Sequence, residues 1–159
     1  MLFFYHSTTS PELEETVWQA AEELGIRMVL CRGSATETGS HEGMIEHKIE
    51  PESIDQIIDR LDTTRKKHHQ AGPDAMKKLV VAPTSLIHSS SPDSLKAQAA
   101  WARSNGLKMH SHLLEVDFDE IQAREKYGQS AIDYAESCGW LGGDVWFAHL
   151  VHSDAHAIE

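Results

Sequence analysis

Five short apolar runs, at residues 2–5, 27–31, 79–82, 107–112 and 145–149, alternate along the chain with longer segments of helical periodicity. Alternation of this kind admits few architectures. A strand that returns to its sheet through a helix arrives parallel to its neighbour, and strands covered on both faces read as continuous apolar runs. The order therefore predicts an α/β fold built on a parallel sheet. A closed (β/α)8 barrel needs eight strands and typically ~250 residues, whereas this chain offers five runs in 159 residues. The expectation is one continuous domain, residues 1–159, forming part of such a barrel.

Local signals support the helices. Ser10-Pro11-Glu12 and Ser91-Pro92-Asp93 each set a hydroxyl before a proline with acid following, a helix-start pattern. After the first, Leu13, Val17, Ala20, Ala21 and Leu24 form an apolar stripe that Gly25 ends, and the second helix closes near Asn105-Gly106. Pro51-Glu52-Ser53-Ile54-Asp55 opens a longer helix through Ile57, Ile58 and Leu61. Its basic end at residues 65–69 suits the negative pole of the helix dipole. Residues 33–50 are polar and aperiodic, a loop after a strand of the kind that walls active sites. The last residues, 153–159, read as the first turns of a further helix.

Charge and cysteine usage narrow the partners. The net charge of -11, with 25 acidic residues against 14 Lys and Arg, repels phosphate backbones and anionic lipid. Neither nucleic acid nor a membrane surface is an expected partner. No apolar run approaches the ~20 residues of a membrane span, which together with the short uncharged start predicts a cytoplasmic protein. Cys31 and Cys138 stand far apart without a Cys-x-x-Cys pair, and both read as small buried residues.

The chemistry-bearing residues gather near strand ends. In His110-Ser111-His112-Leu113-Leu114-Glu115, the two imidazoles share one face of a strand and Glu115 lies just beyond it, at the mouth of a parallel barrel. The apolar run before His149 also ends on an imidazole. Each residue has an ordinary structural role open to it: a ring bonded to a carbonyl, a solvated carboxylate, a core histidine. Arg32, between a strand and Gly33, points either to a substrate atom or to a salt bridge. His68 and His69 fall on a helix end, His41 and His47 on the loop, His6 after an early strand, and His152 and His156 near a helix start.

Taken together, Leu79-Val-Val-Ala-Pro-Thr84, Ser90-Ser-Pro-Asp-Ser-Leu95, the segment from Gly106 to Glu115 and the segment from Gly139 to His149 resemble the amidohydrolase superfamily. The resemblance is to its cytosine-deaminase-like branch, and within it to deaminases of oxidised purines and pterins. Arg32-Gly33-Ser34-Ala35-Thr36 and Asp74-Ala75-Met76-Lys77-Lys78 are similar to that subgroup as well. The likeness implies roughly strands two or three to six of an amidohydrolase (β/α)8 TIM barrel.

Carried over by residue, the resemblance implies His112 as a metal ligand, Glu115 as the proton-shuttling carboxylate and His149 as the group that holds the attacking oxygen. It places His110 and Arg32 beside the substrate. The implied cofactor is one divalent metal, zinc before iron, and the implied substrate is a small heterocycle that loses an amino group by hydrolysis. Position 150, often cysteine in relatives, is leucine here, and Val116 stands where threonine is common. The family also takes a His-x-His from its first strand and an Asp from its eighth, and this chain matches neither. The chain by itself is therefore expected to be inactive, with exposed edge strands that favour self-association. Competing readings are a degenerate barrel segment without enzymatic activity, a complete small α/β binding domain and a triazine-type aminohydrolase.

Overall fold

The computed structural model describes residues 1–4, 11–38 and 50–158. The Ser10 cap, His6, His41 and His47 lie outside these residues. All five anticipated strands are present: β1 Leu2–Phe4, β2 Met28–Ser34, β3 Lys77–Pro83, β4 Lys108–Leu113 and β5 Val145–His149. They form one sheet in the order β1-β2-β3-β4-β5, each parallel to the next. Sequence order and spatial order coincide, as progressive winding around a barrel requires.

Helices α1 Pro11–Glu23, α2 Ile54–His68, α3 Pro92–Ser104, α4 Asp117–Tyr127, α5 Ala131–Ser137 and α6 Ala155–Ile158 connect or follow the strands. Their starts have identifiable causes. Ser53 Oγ accepts from the Gln56 amide at 3.2 Å while Gln56 Oε1 accepts from the Ser53 amide at 2.9 Å, a complete capping box that starts α2 at Ile54 rather than at Pro51. Ser91 Oγ caps α3 by accepting from Ser94 N–H at 3.3 Å, and Pro92 occupies the first turn. At the other end of α4, Gly128 takes φ 68°, a left-handed cap that costs glycine little.

The stripe read on α1 needs correction. Trp18 and Ala21 are the residues it buries, while Leu13 and Leu24 are exposed and Val17 is only partly covered. Trp18 decides the rotation, because its ring stacks on His68 of α2 at 5.0 Å and turns the aliphatic stripe away from the sheet. The basic end of α2 is also more than a dipole match. The Leu79 N–H donates to His69 Nδ1 at 3.1 Å, so the residue after the helix ties it to β3.

Two apolar layers sandwich the sheet. On the helix side Leu30, Leu79, Val81, Met109 and Leu113 pack with Trp18, Ile57, Leu61, Leu95 and Trp140. On the opposite face Cys31, Val80 and Ala82 form a smaller cluster with Val29 and Trp146. In a barrel that second face is the interior. Both cysteines are buried, and burial pushes the Cys31 thiol up to about 12 and also raises that of Cys138.

Candidate active site

The C-terminal ends of β4 and β5 bring three imidazoles and one carboxylate together. His110 and His112 alternate onto the inner face, with ring centroids 5.7 Å apart, and the His149 ring lies 5.4 Å from that of His112. Glu115 Oε2 stands 3.5 Å from His149 Nε2. Residues separated by 37 positions thus meet because β4 and β5 pair in register, His112 opposite Ala148 and Leu113 opposite His149.

Strand alternation alone would send His149 the other way, since Val145 and Phe147 pack with the helix-side core while Trp146 belongs to the inner cluster. Backbone conformation resolves this. Among the described residues, the non-glycine positions with positive φ are Leu114 at 53°, His149 at 74° and Leu150 at 53°. All three belong to the site. Left-handed backbone costs a non-glycine residue roughly 1–3 kcal/mol and persists where the surroundings impose it. Here Leu150 N–H donates to Leu113 O at 3.0 Å and His152 N–H to Leu114 O at 3.2 Å, so the two turned strand ends hold each other. The turn at Leu114 also separates Glu115 from the line of β4.

Hydrogen bonds orient the rings. His112 Nδ1 donates to the Thr84 carbonyl at 2.9 Å, and His110 Nδ1 donates to the Trp146 carbonyl at 3.1 Å. A carbonyl only accepts, so each neutral ring carries its proton on Nδ1 and its lone pair on Nε2. His110 is also stacked on Trp146 at 5.1 Å. Burial lowers its pKa, the bond to Trp146 O opposes the shift, and the neighbouring His112 and His149 add to it. The two rings share one face of β4, as strand alternation predicts, and each of them, rather than one alone, bonds a carbonyl.

Arg32 lies elsewhere. Its guanidinium makes a bidentate pair with Glu52, Nη2 to Oε1 at 2.8 Å and Nη1 to Oε2 at 3.0 Å, while Nη1 also donates to Gly33 O. It follows Leu30 on the helix-facing side of β2 and borders a cavity of about 530 Å³ shared with Glu14, Thr64 and His68 of α1 and α2. None of the site imidazoles lines that cavity. Two residues that sequence reasoning passed over stand against the site instead. His88 Nε2 donates to Asp119 Oδ1 at 2.7 Å, and Asp119 Oδ2 accepts the Glu115 amide at 2.7 Å.

The amidohydrolase family model matches residues 2–159. The chain belongs to the amidohydrolase family. Over 142 residues it is 40% identical to an isoxanthopterin deaminase of an unidentified prokaryote, covering 89% of this chain and 30% of that protein. It is 31% identical over 138 residues to the 8-oxoguanine deaminase of Pseudomonas aeruginosa, covering 87% of this chain and 30% of the relative. Among solved amidohydrolases, one from a Sargasso Sea environmental sample superposes with a TM-score of 0.78 at 35% identity, over 98% of this chain and 34% of its own. Atrazine chlorohydrolase of Arthrobacter aurescens TC1, crystallised with zinc, superposes at 0.85 with 23% identity and the same coverage, a likeness of fold. This amidohydrolase chain therefore spans about a third of its relatives' length, and its parallel sheet is a partial barrel of that family.

The donor set for a metal is partial. Among the described residues, no group of three or more His, Cys, Asp or Glu side chains could hold an ion. What fits is the chemistry of one ligand, since the Thr84 bond leaves the His112 lone pair on Nε2, as a metal-bound imidazole needs. No helix among the described residues is long and apolar enough to cross a membrane.

Proposed function

We propose that this chain forms the β4–β5 part of the active site of a metal-dependent aminohydrolase that deaminates a heteroaromatic ring of the pterin or oxidised-purine class. The convergence of His112, Glu115 and His149 at two turned strand ends carries the reading. Similarity to isoxanthopterin and 8-oxoguanine deaminases supports the substrate class. One divalent ion, zinc or iron, would be held in part by His112 and would supply Lewis-acid polarisation at the reacting centre. No full ligand set is found among the described residues, and inactivity of the 159-residue chain alone is part of the proposal.

Glu115 removes a proton from the attacking water and delivers it to the ring nitrogen as the amino-bearing carbon becomes tetrahedral. The remaining water proton, now on the hydroxyl of the tetrahedral carbon, passes through Glu115 to the departing nitrogen as the C=O bond forms and the C–N bond breaks, and ammonia leaves an oxo product. His149 directs its Nε2 toward the same space as the Glu115 carboxylate and holds the oxygen in line. His110, neutral and wedged against Trp146, shapes the floor of the substrate space. The test is ammonia release from isoxanthopterin and 8-oxoguanine by the chain extended along its reading frame, with Glu115→Gln as control. Turnover that survives Glu115→Gln would refute the assignment.

A further inference from the structure

Asp119 is buried in the first turn of α4, and both of its oxygens are engaged. An acid at the third helical position ordinarily accepts the amide of the N-cap residue. Here the N-cap is Val116, which has no side-chain cap of its own, and the carboxylate, besides interacting with the Val116 amide, reaches one residue further back to accept the Glu115 N–H at 2.7 Å. Its other oxygen accepts from His88 Nε2 at 2.7 Å. His88 is fixed in turn, since its ring stacks on Phe118 at 5.7 Å and its amide donates to Ser85 Oγ at 3.1 Å.

The loop that follows β3 therefore grips the site twice. Thr84 O receives the His112 Nδ1–H, and His88, four residues later, reaches the Glu115 backbone through Asp119. Leu114, with its left-handed φ of 53°, lies between these two grips. Without a hold beyond it, the strained turn would relax and swing Glu115.

We propose that the His88–Asp119 pair is a positioning device, which fixes the backbone of Glu115 so that its carboxylate meets the reacting centre. The inference rests on Glu115 being the proton carrier. Burial raises the Asp119 carboxyl, but the bonds from His88 and from the Glu115 and Val116 amides outweigh it, so the acceptor is an ionised one. Neither residue touches the substrate, and their effect passes through Glu115.

Amide hydrogen exchange on the 159-residue chain tests the hold directly. In Asp119→Ala the Glu115 amide should exchange at least about tenfold faster relative to the Met109 and Ser111 amides of the same chain, which cancels any global loss of stability. Asp119→Asn, which keeps an acceptor oxygen, should restore most of that protection. In the extended, ammonia-releasing protein the same alanine variant should lower kcat by up to about 10²-fold with little change in KM. An unchanged Glu115 amide, or uniform loss of protection along β4 and α4, would overturn the proposal. If the unsubstituted protein releases no ammonia, the deaminase reading falls while the exchange comparison still decides the hold on Glu115.

Discussion

At the scale of single residues, the site depends on three turned backbones as much as on its side chains. The shared face of His110 and His112, and the place of Glu115 just beyond β4, were legible because a strand fixes which residues share a face. The positive φ at Leu114, His149 and Leu150 was not, since none of these is a glycine and the strain comes from pairing between two strand ends. The His88–Asp119 contact spans 31 positions and leaves no local signal. Arg32 illustrates the reverse: its place beside Gly33 left a substrate atom and a salt bridge both open, and the pair it makes with Glu52, 20 positions on, has no local signal. Two predictions belong here. Glu115→Gln should lower ammonia release by about 10²–10⁴-fold while leaving metal content unchanged, measured by steady-state assay and metal analysis. Arg32→Met, which leaves half-buried Glu52 paired with Arg60, should destabilise the fold by up to about 3 kcal/mol in urea titration and leave KM unchanged.

At the scale of elements, strand positions were readable from apolar runs and helix starts from Ser-Pro pairs. Docking faces were less so, because α1 is rotated by Trp18 stacking on His68, an aromatic contact between helices 50 residues apart in the chain. The join between α2 and β3 carries its own pH dependence. Burial, with the charges of Lys78 and Arg65, lowers the pKa of His69, which must stay neutral to accept the Leu79 amide. Its folded value thus lies below that of an ordinary imidazole, and the unfolded chain takes up the proton first as pH falls. Stability should be fully present above the ordinary imidazole value of the unfolded chain and be lost as pH falls from there through the lower folded value. Urea titrations between pH 8 and pH 5 should show this loss, and His69→Gln should flatten it. A steeper loss in that variant would contradict the assignment. Ser91→Ala should cost about 1 kcal/mol by removing the α3 cap.

For the whole molecule, composition and the β/α rhythm conveyed the fold class, and the motif order conveyed the family. The expectation of exposed edge strands is also met, at the first and last strands. Among the described residues β1 and β5 each pair on one side, and Leu150 and Val151, which directly follow β5, are exposed. Open edges with apolar surroundings recruit other chains. Sedimentation velocity on the 159-residue chain should therefore show association that grows with concentration and is weakened by Val151→Lys. The central claim, that these strand ends belong to a metal-dependent deaminase site, is tested most directly by metal content and ammonia release, measured side by side on this chain and on the chain extended along its reading frame. A divalent ion near unit stoichiometry with ammonia release from isoxanthopterin or 8-oxoguanine in the extended protein, and neither in the 159-residue chain, is the predicted result. An extended protein that binds no metal and releases no ammonia would contradict it.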